Sequence, residues 1–318
     1  MNYNTYELAK SQLLQIDFII TIMVMFYRGI FNMKKPIVAI MYDFDKTLST
    51  TDMQDYGFIP ALGMKPEEFW GATGEFTKKT GVERILSYMY MMIYLAKEKG
   101  VDISRKSLNK MGENITYYPG VETWFKRINK YGKSKGVQVE HYLISSGTKE
   151  IVEGCSIAKE FKEIYGCEFY YDPKTGEPVW PKLAINYTQK TQYFFRISKG
   201  ATDINDDNKI NQRTVNRRIP YENMIYLGDG MTDIPCMVVV RQNHGSAIAI
   251  SKNNKSDTLK QLIKSGRVNF ACTASYKEDS QLDQTVKMLI DRIAINSQIK
   301  HREDKLQKYA LKLKEKDE

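Results

Sequence analysis

Pro36-Ile-Val-Ala-Ile-Met-Tyr42 runs directly into Asp43-Phe44-Asp45-Lys46-Thr47-Leu48. Seven almost uninterrupted apolar residues, two isoleucines and a valine among them, predict a strand buried on both faces of a parallel sheet. Two carboxylates stand where that strand should end. Ligands bind at the carboxyl edge of an open α/β sheet, so an Asp-x-Asp there is placed for chemistry. On this stretch alone, aspartates that simply form the turn after a strand explain the pattern equally well. The rest of the chain has to decide.

The chain has 318 residues, 42% hydrophobic and 12% aromatic, enough for a packed core in one large domain or two modest ones. Lys and Arg number 47 against 38 Asp and Glu, a net charge of +9. The basic residues are scattered, with no run of five like charges, which argues for an anionic small molecule and against nucleic acid. Cys155, Cys167, Cys236 and Cys272 form no C-x-x-C pair, and the three histidines are His141, His244 and His301. Zinc is not expected. The cysteines read as small buried hydrophobes in a reducing compartment, which places the protein in the cytoplasm.

Residues 1–32 differ in character from the remainder of the chain. Their apolar run, Phe18 to Tyr27, is shorter than the ~20 residues needed to span a bilayer, and no small-x-small cleavage site comes after it. The segment reads as an extension outside the core, with a peripheral membrane anchor as the alternative. From residue 51 to 117 the pattern is helical. Val82, Ile85, Leu86, Met89, Ile93 and Ala96 recur at three and four, and Lys97-Glu98-Lys99-Gly100 supplies a basic last turn and a stop. A second helix carries Val121, Trp124, Phe125, Ile128 and Tyr131 on one face.

Val137 to Ile144 then predicts a strand ending in Ser145-Ser146-Gly147-Thr148. Parallel strands need a crossover of only about a dozen residues, yet roughly 100 separate Asp45 from Ser146, so a helical cap over 51–117 is inserted after the first strand. Lys149 to Phe161 reads as a helix, and Glu168 to Trp180 as a hairpin around Asp172-Pro-Lys-Thr-Gly176. Lys190 opens a helix. Residues 199–220 form a polar loop whose Asp203 to Ile210 portion imitates a calcium loop, but Asn208 replaces the required glycine and Thr214 the required glutamate.

Met224 to Leu227 predicts a third buried strand, ending in Gly228-Asp229-Gly230-Met231-Thr232-Asp233, and Ala247 to Ile250 a fourth. A late helix carries Leu282, Val286, Leu289, Ile290 and Ile293, and the tail over 298–318 reads as a charged helix with one apolar stripe. The expected fold is a doubly wound parallel α/β sheet, Rossmann-like, formed by 33–50 and 118–297.

Three strand ends thus carry polar clusters: Asp43 and Asp45, Ser146 and Gly147, Asp229 and Asp233, with Lys190 between the last two. Two carboxylates about 4 Å apart repel by roughly 4 kcal/mol at an effective dielectric near 20, so several together call for a cation. An all-oxygen set points to Mg²⁺.

Asp43-Phe-Asp-Lys-Thr47, Ser146-Gly147, Lys190 and Gly228-Asp-Gly-Met-Thr-Asp233 resemble, in order, the four motifs of the haloacid dehalogenase-like hydrolase superfamily, especially its phosphoserine-phosphatase-like branch with a helical cap. The resemblance covers about 33–295. It implies that Asp43 is the nucleophile, forming an aspartyl-phosphate, and that Asp45 is the acid that protonates the leaving oxygen and later activates water. It further implies Mg²⁺ held by the Asp43 side chain, the Asp45 backbone carbonyl and Asp229, with Asp233 binding through water or orienting Lys190. Ser146, the Gly147 N–H and Lys190 would gather charge on the phosphoryl oxygens.

Ser145 competes with Ser146, and Lys182 with Lys190. Asp52 stands nine residues past Asp43, where phosphoserine phosphatases carry an acid for the substrate amine, or else it is a helix N-cap. Arg84, Trp70 and Lys78 are candidate cap contacts. The reaction expected is Mg²⁺-dependent hydrolysis of a small phosphorylated metabolite, with a phosphotransferase or mutase, or a non-catalytic binding module attached to a membrane through 1–32, as alternatives.

Overall fold

The computed structural model describes residues 35–213, 217–252 and 256–314, so the expected extension over 1–32 and Thr214 of the polar loop lie outside the described residues. Along the chain come β1 (Ile37–Tyr42), helices α1 (Phe58–Ala61), α2 (Pro66–Thr80), α3 (Arg84–Lys99), α4 (Arg105–Gly112) and α5 (Val121–Ser134). Next are β2 (Gln138–Thr148), α6 (Lys149–Glu153), β3 (Glu163–Tyr171), β4 (Pro178–Leu183), α7 (Gln192–Lys199) and α8 (Asp207–Asn211). The order closes with β5 (Met224–Gly228), α9 (Ile234–Gln242), β6 (Ser246–Ser251), α10 (Asp257–Lys264), β7 (Phe270–Thr273) and α11 (Gln281–Lys314).

The strands form one sheet in the order β4-β3-β2-β1-β5-β6-β7. Every neighbouring pair is parallel except β3 with β4, so the doubly wound α/β architecture expected from the sequence is the one formed. β1 and β5 are buried at every position, as their unbroken apolar runs require of strands covered on both faces. The chain winds outward from β1 through β2 and β3 and returns to β1's other side as β5. That reversal is the switch point of the sheet, where a crevice opens beyond the carboxyl ends.

α1 to α4 fill the stretch between β1 and α5. The chain leaves and re-enters the sheet at one place: the Thr50 N–H donates to the Thr116 carbonyl (3.0 Å) and the Tyr118 N–H to that of Leu48 (2.9 Å). α2 begins on Pro66 with Glu67 and Glu68 in its first turn and Lys78 and Lys79 in its last, complementing the helix dipole at both ends. α3 starts two residues after Val82 because the Glu83 carboxylate caps it, accepting from the N–H groups of Ile85 (2.8 Å) and Leu86 (3.1 Å). It buries Ile85, Tyr88, Met89, Met92 and Ala96, and stops at Gly100 in the left-handed region.

Five local readings change, the first being that residues 207–211 of the expected polar loop form α8, capped by the Asp206 carboxylate accepting from the Lys209 N–H. The helix expected over 149–161 ends at Glu153, where α4 crosses so closely that a Cβ on Gly154 would lie 1.7 Å from the Asn109 carbonyl. The hairpin's first strand begins at Glu163, five residues early, because β3 also pairs in parallel with β2. β7 has four residues and a half-exposed pattern, too short for period-two alternation to announce it. The late helix and the charged tail are one 34-residue helix, α11, which crosses the expected boundary at 297 without a break. Core burial nevertheless stops there: Ile293 and Ala294 are buried and residues 298–311 are all exposed. No helix among the described residues is long and apolar enough to cross a membrane.

Candidate active site

β1 and β5 deliver Asp43 and Asp229 to adjacent positions at the switch point, and the Asp43 N–H continues the ladder by donating to the Leu227 carbonyl (2.9 Å). Lys190, from the short turn Gln189–Thr191 before α7, reaches between them. Its Nζ donates to Asp43 Oδ1 (2.7 Å) and Asp233 Oδ1 (2.9 Å), and the residue is 1% exposed. Asp233 also accepts from the Tyr226 hydroxyl (2.7 Å) and, through Oδ2, from the N–H groups of Asp229 (3.2 Å) and Gly230 (3.4 Å). Four donors thus converge on one buried carboxylate. Gly228 is required by this packing: a Cβ there would lie 2.5 Å from Asp233 Oδ2.

One oxygen each of Asp43, Asp229 and Asp233 lies within 4.8 Å of the others. Burial pushes the Asp43 carboxyl up to about 6, against the pull of Lys190 and with a further push from Asp233. Burial, then Asp43 and Asp233, pushes Asp229 up to about 8. Lys190 is held charged above its ordinary range because Asp233 and Asp43 outweigh its own desolvation. Lys190 bonds to Asp43 and Asp233, and Asp229 is eased by Lys46 and then Lys190, so carboxylates remain in excess around the one buried ammonium. That surplus of negative charge and the all-oxygen donor set fit a hard divalent cation.

Asp45 is not among the three. Its Oδ1 accepts from the Met53 N–H (2.7 Å), and burial with the nearby charges of Asp52 and Asp43 holds its carboxyl well above the usual range. Of the two serines ending β2, Ser145 is consumed within the strand end, its Oγ accepting from the Gly147 N–H (2.9 Å). Ser146 Oγ is buried without a partner, and Ser146 lines the cavity. Ser145 is absent from the cavity lining. The Gly147 N–H, which the resemblance directs at a phosphoryl group, is already used; Gly147 lines the cavity by its backbone alone. Lys182 pairs with Glu168 (3.0 Å) and takes no part.

The carboxylates open into a cavity of about 820 Å³, between the sheet edge and helices α2 and α3, lined also by Lys46, Asp52, Trp70, Thr73, Lys78 and Arg84. Asp52 caps nothing with its side chain; both its oxygens accept from Lys46 Nζ (2.9 and 2.7 Å). Sequence pattern does not mark Thr73, Tyr88 or Lys46 as site residues, yet all three line the cavity. Thr73 and Tyr88 look like ordinary positions on apolar helix faces, whereas Lys46 sits inside the motif and reads only as its spacer. His141 is structural, bonded to the Tyr42 hydroxyl (2.9 Å) and Asn129 (3.1 Å), and burial alone lowers it to about 3.

A family model for haloacid dehalogenase-like hydrolases matches residues 40–238, more than half the chain and the whole span that carries these residues. The chain belongs to that family. Two solved structures resemble this haloacid dehalogenase-like hydrolase in fold. One is a HAD family hydrolase from Salmonella enterica serovar Typhi, with TM-score 0.51, 17% identity, and coverage of 80% of this chain and 72% of the other. The second is a probable phosphoserine phosphatase from Vibrio cholerae, with TM-score 0.52, 13% identity, and coverage of 84% and 67%. An uncharacterized protein of Borreliella burgdorferi is 24% identical over 278 residues, 79% of this hydrolase and 95% of the relative.

Proposed function

We propose that the protein is a phosphomonoesterase that hydrolyses a small phosphorylated metabolite through an aspartyl-phosphate on Asp43. One observation carries this reading: Asp43, bonded to Lys190, and Ser146, whose buried hydroxyl has no partner, line the same cavity. A partnerless buried hydroxyl costs about 1–3 kcal/mol unless a ligand meets it, and a phosphoryl oxygen would do so.

In this reading an Asp43 oxygen attacks phosphorus, forming one P–O bond as the ester P–O bond breaks. Asp45 keeps its proton near neutral pH because of its burial and neighbours, and gives it to the departing oxygen. The resulting carboxylate then takes a proton from the water that frees phosphate. Lys190 and Ser146 hold the equatorial oxygens, and Tyr226 and Asp233 keep Lys190 in place. Mg²⁺, bound by Asp43, Asp229 and the Asp45 carbonyl, would neutralise charge on the phosphoryl group. The four cysteines, all free and buried, suit a reducing cytoplasm.

The test is phosphate release from a panel of phosphorylated metabolites with Mg²⁺ and with chelator, in parallel with the Asp43→Asn variant. Release that needs both Mg²⁺ and Asp43 is expected. Transfer of label to an added alcohol without net phosphate would instead mark a phosphotransferase, and unchanged release by Asp43→Asn would end the nucleophile assignment.

A further inference from the structure

A second cleft, of about 760 Å³, shares no lining residue with the cavity over Asp43. One wall is a face of α5; the other is the start of α11 with the segment that leads into it from β7. Lys126, Arg127 and Lys130 line it from α5, Lys277 and Lys287 from the opposite wall, and Glu278 is the one carboxylate in the lining. The chain has no run of five like charges, so it is packing that gathers five cations here.

Asp283, fully buried, bridges the two walls. Its Oδ1 accepts from Arg127 Nε (3.1 Å), and its Oδ2 from Lys287 Nζ (2.7 Å) and the Asp279 N–H (3.0 Å). Arg127 donates as well to the Tyr276 carbonyl and the Thr123 hydroxyl. Two of the five cations are therefore fixed in place. The other three, Lys126, Lys130 and Lys277, are exposed and make no ion pair among the described residues. Even with Asp279, 3.8 Å from Lys287, and Asp283 counted beside Glu278, five cations face three carboxylates.

We propose that this cleft binds a small polyanion with two or more linked phosphate groups, free or as the phosphate chain of a nucleotide. Arg127 and Lys287, positioned in advance by Asp283, meet one phosphoryl group, and the three unpaired lysines meet the others. Lys126 and Lys130 stand one helical turn apart, about 5–6 Å between Cβ atoms, a spacing that linked phosphates match. Single-stranded nucleic acid is disfavoured, because it needs aromatic platforms for its bases. Tyr131, the one aromatic residue in the lining, is already engaged: its hydroxyl donates to Asp291 (2.8 Å), and the ammonium groups of Lys135 and Lys287 lie 5.1 and 5.6 Å from its ring centre.

Calorimetry on the full chain tests the assignment, in chelator so that no divalent ion draws the ligand to the active-site carboxylates. Salt is held at about 0.15 M, where exposed charges are screened beyond about 8 Å. Inorganic triphosphate and ATP should each bind at least about tenfold more tightly than inorganic phosphate. Lys126→Gln with Lys130→Gln should weaken triphosphate at least about tenfold, while melting temperature and hydrolysis of p-nitrophenyl phosphate stay those of the unaltered chain. Lys78→Gln with Arg84→Gln, in the lining of the other cavity, should leave triphosphate binding unchanged.

Equal affinity for phosphate and triphosphate, or undiminished triphosphate binding by the α5 double variant, overturns the proposal. So does loss of binding on changing Lys78 and Arg84 instead, which would put the ligand in the other cavity. A single-stranded oligonucleotide or phosphatidylserine vesicles held more tightly than triphosphate, and released by the α5 double variant, would make this a surface for a macromolecule and overturn it as well.

Discussion

Two clusters around buried carboxylates lie at opposite ends of the same sheet and are built in opposite ways. On β2, Glu140 accepts from Arg218 (2.8 Å), Lys162 (2.6 Å), the Tyr142 hydroxyl (2.6 Å) and Gln138 (3.0 Å). Burial alone would raise its carboxyl, but those donors, Arg218 first, hold it down to about 2. At the other end of the strands, Asp43 and Asp229 are driven up to about 6 and 8, with Lys190 the buried cation among them. The first cluster has its charge met by donors within the protein. In the second, carboxylates outnumber the buried ammonium, and that difference in charge balance distinguishes the two more sharply than burial does.

The contrast breaks most visibly at Asp43. Asp43→Asn should lower phosphate release by at least about a thousandfold, as loss of a nucleophile does, while circular dichroism and the melting temperature stay near those of the unaltered protein. A melting temperature that collapses together with activity would make Asp43 a structural residue like Glu140.

Next comes the cation. Mg²⁺ at about 100 times its dissociation constant should stabilise the fold by about 2.7 kcal/mol, read as a rise in melting temperature that chelator reverses. Asp229→Asn should abolish that rise. A ligand-free cluster that Mg²⁺ fails to stabilise would remove the electrostatic argument for the ion.

Glu140→Gln sharpens the other side. Breaking a fully buried pair costs about 3–5 kcal/mol, but Arg218 and Lys162 are partly exposed, so screening reduces the expected loss to about 1–2 kcal/mol in chemical denaturation. The sign of the shift sets the pH window. Because the folded carboxyl lies at about 2, below the unfolded value near 4.3, its stabilisation is fully present above the unfolded value and is lost as pH falls through the folded one. The gap between variant and unaltered protein should therefore be constant above about pH 5.5 and close towards about pH 2. A gap that widened on acidification would refute it.

The smallest effect belongs to the end of α11. Deleting 298–318 should change stability by no more than about 0.5 kcal/mol and leave activity unchanged, since residues 298–311 bury nothing. Loss of activity on that truncation would place the helix in the working protein.

Much of the fold is legible locally. The Pro36 to Tyr42 run, the Met224 to Leu227 run and the three-and-four spacing of α3 each reflect a burial pattern within one element, and periodicity records burial directly. β3 escapes because its first residues gain their identity from pairing with β2, which no local pattern reports. Within the site, Asp43, Ser146 and Asp229 are legible as motifs at strand ends, and Lys190 as the opening of a helix between the last two. Thr73 is not, since a threonine on an apolar helix face looks the same whether or not the residue lines a cavity.

Residue order alone specifies which strands are buried on both faces and which chemical groups stand at each strand end. Three-dimensional packing settles what those groups do to one another: that Lys190 spans Asp43 and Asp233, that Ser145 occupies the Gly147 N–H and leaves Ser146 unpaired, and that Lys46 claims Asp52. A strand or helix is specified by neighbours a few residues apart. Hydrogen bonds and charge balance at a site depend instead on distances of a few ångströms between residues as far apart in the chain as Asp43 and Lys190.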